Sequence, residues 1–241
     1  MSTTPKTSPE GSFSSYRGPL LRRCLQVLFE AALFGVVLLV SAGDLRWGNA
    51  WLFVGLFLVQ VIASAIYVIP RNPEIVVERG RLHEGTQGFD RVLMPFYMVT
   101  DLGVLVVAGL DGGRFGWARL GWPWVAVGVL LMVLGAVPVV WAMGVNRHLE
   151  KTVRIQSERG HQVVTGGPYR FVRHPMYLGA IIQMIGTALL LSSAWALLPA
   201  VACGVVLVSR TALEDRFLRR SLPGYADFAA TTPYRLVPGV W

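Results

Sequence analysis

The sequence predicts an all-α fold, a polytopic transmembrane helical bundle of about six membrane helices, from three observations. The 241-residue chain is 54% hydrophobic and only 15% charged, with a mean hydropathy of +0.52, too apolar for an ordinary soluble domain of this length. Its apolar residues gather into runs that, at about 1.5 Å of rise per helical residue, reach across a bilayer core of about 30 Å. Its Lys and Arg residues crowd into alternate connections between those runs, the bias that orients membrane helices.

Residues 1–16 are rich in Ser, Thr, Pro and Gly without apolar periodicity and are expected to form a disordered tail. Cys24–Gly43, interrupted only by Gln26 and Glu30, is the first expected span. Val40-Ser41-Ala42 looks a little like a signal-peptide cleavage site. The polar lead through Arg23 is long for an n-region, however, and the apolar run exceeds the usual h-region, so a retained helix is expected. Trp51–Ile69 is the second span, closed by Pro70-Arg71-Asn72-Pro73. Val92–Leu110, with Asp101 inside it, is the third, and the uncharged Trp122–Met143 is the fourth. Met176–Leu191 and Trp195–Val208 are shorter arms around Ser192-Ser193, with Pro199 in the second. They read as a closely packed helical hairpin over 176–208. Trp47, Trp51, Trp117, Trp122 and Trp124 fall near span ends, as an aromatic belt requires.

The net charge of +8 is unevenly placed. Lys6, Arg17, Arg22 and Arg23 precede the first span, and Arg71, Arg79, Arg81 and Arg91 follow the second. Arg147, Lys151, Arg154, Arg159, Arg170 and Arg173 precede the hairpin; Arg210, Arg216, Arg219, Arg220 and Arg235 follow its apolar part. The opposite connections, Asp44–Trp47 and Asp111–Arg119, are sparse. Both termini are therefore expected in the cytoplasm of a multi-pass inner or plasma membrane protein, and topology accounts for the basic excess without nucleic acid. Cys24 and Cys203 lie in apolar runs, and His83, His148, His161 and His174 lack metal-binding spacing, so no metal is expected. Glu30 and Asp101 are intramembrane acids, open to a functional reading or to satisfaction by a neighbouring helix.

Polar sequence concentrates in two blocks, 146–177 and 209–241, which flank the hairpin. A short hairpin returns its ends to one side of the membrane, so the blocks are expected to be neighbours. In the first, Gly166-Gly167-Pro168 forces a turn, and His174-Pro175 places Pro at the first position of a helix. Such a helix start presents N–H groups and a positive dipole end suited to a carboxylate. The alternative is a basic juxtamembrane loop holding lipid phosphates, with Tyr169 and Tyr177 as interface anchors. In the second block, Arg210 and Glu214 are an i, i+4 pair on one helix face, which is also a common surface arrangement.

The order Gln156, His161-Gln162-Val163-Val164-Thr165, Gly167, Tyr169, Arg173-His174-Pro175-Met176-Tyr177, Gly179, an apolar hairpin, Arg210, Glu214-Asp215, Leu218, then Gly224-Tyr225 and Phe228 resembles the isoprenylcysteine carboxyl methyltransferase family and its phospholipid methyltransferase relatives. The resemblance covers residues 146–241; the preceding spans match only in being apolar. It implies a catalytic region over 146–241 below N-terminal membrane helices over 17–145, with a cytoplasmic pocket for S-adenosylmethionine. It implies cofactor binding by Gln156, His161, Gln162, Val163, Val164, Tyr169, His174, Pro175, Met176, Tyr177 and Glu214, and substrate contact by Arg210, with Arg210 and Glu214 as catalytic positions. The acidic pair is Glu214-Asp215 rather than two glutamates, and Pro168 tightens the turn before Tyr169. The implied partners are the bilayer and a lipophilic acceptor, first a carboxylate. A phospholipid N-methyltransferase, an NADPH-dependent sterol-type reductase and a non-enzymatic membrane component remain the alternatives.

Overall fold

The computed structural model describes residues 17–80 and 85–241, so the tail expected over 1–16, and Arg81 and His83, lie outside the described residues. The helices are α1 (Arg17–Ala42), α2 (Gly48–Val68), α3 (Pro73–Glu78), α4 (Gly88–Ala108, continued by a π-helical turn, Gly109–Phe115), α5 (Trp122–Val145), α6 (Pro175–Leu190), α7 (Leu197–Ser221) and α8 (Tyr225–Thr231). Five of them, α1, α2, α4 with its extension, α5 and α7, are long and apolar enough to cross a membrane, and α6 is a shorter apolar helix. The chain thus forms the predicted polytopic helical bundle. The helices α1, α2, α4, α5, α6 and α7 alternate in direction, so Arg17 and the end of α7 lie at one end of the bundle, here called the basic end. Leu28, Val36, Val59, Ile62, Val99, Leu130, Val137, Val201 and Val205 stand exposed on its flanks, as side chains facing hydrocarbon should.

The tightest seam joins α5 to α6, where the sequence expected α6 to pack closely with α7. Gly128 and Gly135 on α5 face Gly186 and Gly179 on α6, and a Cβ added at Gly135 would lie 2.7 Å from the Gly179 carbonyl. A Cβ at Gly128 would collide with the Leu190 amide, and one at Gly179 with the Gly135 carbonyl. Without a hydrophobic effect between helices in lipid, this close backbone approach is what holds them.

The three largest departures from the expected boundaries all involve polar residues. α1 begins at Arg17 rather than Cys24, with Arg23 reaching Glu30 (3.3 Å) along its own helix. The third span runs on through Phe115 because Asp111, read as the start of a loop, is fully buried. Asp111 accepts hydrogen bonds from the Ala118 amide (2.7 Å) and the Ser193 hydroxyl (2.6 Å). α7 extends to Ser221, well past the apolar arm, and so carries Arg210, Glu214 and Asp215 beyond that arm on a rigid element. Glu30 is satisfied by Arg23 and by Lys151 (3.7 Å).

Candidate active site

The segment between α5 and α6 contains only two short 3-10 turns, Ser157–Arg159 and Gly167–Arg170, and its shape is set by side chains. Asn146 starts it: its Oδ1 accepts from the His148 amide (2.9 Å) and its Nδ2 donates to the Tyr169 hydroxyl (2.9 Å). Buried Gln156 donates to the His148 carbonyl (2.7 Å). Its Oε1 accepts from Arg159 (2.9 Å) and meets His148 Nδ1 at 3.2 Å. Arg147 donates to His148 Nε2 (3.2 Å), so Nδ1 carries the proton and the ring is neutral. His161 packs on His148 with ring centroids 4.5 Å apart. Burial, then the neighbouring His148, lowers His161 from 6.5 to about 4, and burial also lowers His148. Gly167 adopts φ +61° with Trp141 Nε1 3.0 Å from where a Cβ would sit, so both conformation and space call for glycine there.

A second cluster fixes the rim. Arg173 donates twice to Asp215 (2.7 and 3.2 Å) and once to the Thr232 carbonyl (2.6 Å). Asp215 also accepts from Arg219 (3.1 Å), Arg235 (3.1 Å) and the Tyr225 hydroxyl (3.0 Å). The Arg173 and His174 amides donate to the Tyr234 and Arg235 carbonyls (3.0 and 2.9 Å), strapping the C-terminal tail beside the start of α6.

Between the clusters lies a cleft of about 770 Å³ counted out to its mouth, a size suited to a cofactor. All twelve site residues expected from sequence line it: Gln156, His161, Gln162, Val163, Val164, Tyr169, His174, Pro175, Met176, Tyr177, Arg210 and Glu214. The two polar blocks are therefore neighbours, as the hairpin predicts. The acidic pair divides its work: Glu214 accepts the Tyr177 hydroxyl (2.5 Å) at the cleft, whereas Asp215 holds the rim. The α6 start differs in detail from expectation, because the Tyr177 and Leu178 amides already donate to the His174 carbonyl (3.1 and 3.3 Å).

Arg210 does not stand free. Its Nε and Nη2 donate to Asp90 (2.7 and 3.1 Å), and Nη2 also donates to the Lys151 carbonyl (2.7 Å). Its guanidinium lies over the Tyr177 ring at 5.1 Å. Asp90 Oδ2 further accepts the Val153 amide (2.8 Å), tying α4, α7 and the loop together. Sequence reasoning missed Asp90, because an acid in the first turn of a helix is ordinary. His148, Asn146, Glu150 and Leu222 also line the cleft without having been singled out as site residues. Glu150 pairs doubly with Arg154 (2.8 and 2.8 Å).

The cleft chemistry suits S-adenosylmethionine: the Glu214 carboxylate offers an acceptor to a cationic ligand, and Tyr169 and the valines offer apolar wall. The bundle carries this cleft at its basic end, and comparison with known proteins places such an arrangement among membrane methyltransferases. Residues 123–223 match the phospholipid methyltransferase family model. The chain is 32% identical to the cobalt-zinc-cadmium resistance protein CzcN of Cupriavidus metallidurans, over 61% of this chain and 68% of that protein. It is 34% identical to a probable protein-S-isoprenylcysteine O-methyltransferase of Oryza sativa subsp. japonica, over 39% of this chain and 50% of that one. It is 28% identical to protein-S-isoprenylcysteine O-methyltransferase B of Arabidopsis thaliana, over 44% and 55%. The chain thus spans about half the length of these plant relatives. It belongs to the isoprenylcysteine carboxyl methyltransferase-related family of phospholipid methyltransferases.

Proposed function

We propose that the chain transfers a methyl group from S-adenosylmethionine to a lipophilic acceptor, with a carboxylate as the accepting group and the cleft on the cytoplasmic side. The convergence of the 156–177 loop, Arg210 and Glu214 on one cleft carries the reading. When bound, the cofactor supplies an electrophilic methyl group on a sulfonium sulfur. Glu214, aligned by the Tyr177 hydroxyl, binds the cofactor's ammonium or ribose hydroxyls. Arg210, held by Asp90 on rigid α7, orients the acceptor carboxylate, whose ionised oxygen attacks without needing a base. Catalysis is then chiefly positioning and exclusion of water. The basic connections support a cytoplasmic side for this end and for both termini, where the cofactor is soluble, with the acceptor entering sideways from the bilayer.

An amine acceptor, as in phospholipid N-methylation, is the second reading. It is favoured by the Glu214 carboxylate at the cleft, a base able to take the amine proton. Purified chain incubated with methyl-labelled S-adenosylmethionine and total membrane lipid separates the two. A lipid product that releases labelled methanol in mild alkali is the expected outcome, and alkali-stable label points to the amine. Retention of NADPH without S-adenosylmethionine overturns both in favour of a sterol-type reductase. A folded chain that methylates no lipid favours a non-enzymatic component. Glu214→Gln is expected to weaken cofactor binding by about tenfold to a hundredfold, the equivalent of a charge-assisted hydrogen bond of about 1.5–3 kcal/mol.

A further inference from the structure

Midway along the bundle, three turns of α4 beyond Asp90 and about 16 Å from it along the helix, lies a separate cavity of about 500 Å³ counted out to its mouth. It is lined by Phe34 from α1, Phe53, Phe57 and Gln60 from α2, Asp101 from α4 and Gln183 from α6, among others. No Lys, Arg or His is among its described lining residues. Asp101 has no salt bridge or hydrogen bond among the described residues, whereas Glu30, Asp90, Asp111, Glu214 and Asp215 elsewhere in the bundle all have partners. An intramembrane carboxylate is costly to retain without a partner, which makes it a mark of function.

The hydrogen-bonding capacity left in the cavity is mainly that of acceptors. Gln60 Nε2 donates to the Met132 carbonyl (3.0 Å). Gln183 Nε2 donates to Gln60 Oε1 (3.1 Å) and to the same carbonyl (3.3 Å). The Thr187 hydroxyl donates to the Gln183 carbonyl (2.9 Å). Both Gln183 N–H groups, one Gln60 N–H and the Thr187 hydroxyl are thus engaged, while the Asp101 carboxylate and Gln183 Oε1 accept from no donor among the described residues. A ligand that answers them is a cation bearing N–H groups. The three phenyl rings, with Phe34 edge-on to Phe57 at 5.6 Å and Phe53 stacked on Phe57 at 6.4 Å, add the aromatic surface that favours an ammonium in an apolar site. Gln60 also lines a groove of about 990 Å³ between α2 and α5, whose walls include Val59, Ala63 and Val137. That groove is of a size and polarity for an aliphatic chain.

We propose that this cavity binds the protonated head of a long-chain aliphatic amine, with Asp101 as counter-ion and the chain laid along the α2–α5 groove. The site is independent of the cofactor cleft and does not rest on the methyl-transfer reading. A quaternary ammonium fits less well, having no N–H for Gln183 Oε1 and Asp101.

The test is equilibrium binding of radiolabelled dodecylamine at neutral pH to the full chain in non-ionic maltoside micelles, with dodecanol and dodecanoate as competitors. Saturable binding is expected that unlabelled amine displaces and the alcohol and carboxylate do not. Asp101→Asn, eluting as a single folded species, is expected to weaken amine binding tenfold or more. Phe57→Leu is expected to weaken it several-fold, and it serves if the first variant does not fold. Unsaturable partitioning, equal displacement by dodecanol, or unchanged affinity in both variants overturns the proposal.

Discussion

The hairpin of α6 and α7 is closed at each end by a fully buried aspartate, and the two are held by opposite chemistry. At the far end Asp111 takes neutral donors: the Ser193 hydroxyl and the Ala118 amide, with the Trp195 amide at 3.4 Å. At the basic end Asp215 takes three guanidinium groups and a phenol, from the 173 segment, α7, α8 and the C-terminal tail. Neutral backbone donors fix a turn in place and need no counter-charge. Guanidinium groups on long side chains gather segments remote in sequence, which is how a loop-built cleft acquires a wall. The far end is a seal and the basic end is a scaffold for the site.

Asp215→Ala breaks the comparison most severely. It leaves the Arg173 guanidinium, 1% exposed, without its counter-charge, a loss of about 3–5 kcal/mol. Thermal or denaturant unfolding in micelles reads it, and the rim should loosen together with cofactor affinity. Asp111→Ala is expected to cost less, about 1–3 kcal/mol, because it strands neutral donors only. Cofactor affinity should stay unchanged, since no cleft residue touches Asp111. If Asp111→Ala proves the costlier, or also loosens the cleft, the division between seal and scaffold fails.

How far these two ends were legible in the sequence differs for the same reason. The spans follow from apolar run length, and the far-end turn is marked by Ser192-Ser193. Burial of Asp111 was invisible, because an acid after an apolar run reads as a loop until Ser193, far along the chain, is known to meet it. At the basic end, spacing and the family resemblance gathered the cleft residues, but not Asp90, whose partner Arg210 lies on another helix. Nor does spacing separate Glu214 from Asp215, adjacent acids that the helix turns to different neighbours. The glycine seam between α5 and α6 was likewise hidden, since glycines in apolar spans are common and only their facing register gives them meaning.

The smallest expected effect sharpens the same contrast through pH. His161 is lowered from 6.5 to about 4 by burial, then by His148 beside it. Between those values the unfolded chain binds a proton here that the folded chain does not, so stability rises with pH across that window and is flat above it. His148, lowered by burial as well, acts in the same direction. The midpoint of thermal unfolding is therefore expected to fall as pH is taken from 7 to 5, and His161→Gln should flatten part of that fall. Asp111→Ala should shift the whole curve downward without changing its slope, because no histidine packs at the far end among the described residues. Equal slopes in wild type and His161→Gln would show that the titrating charge lies elsewhere than in the histidine stack of the cleft loop.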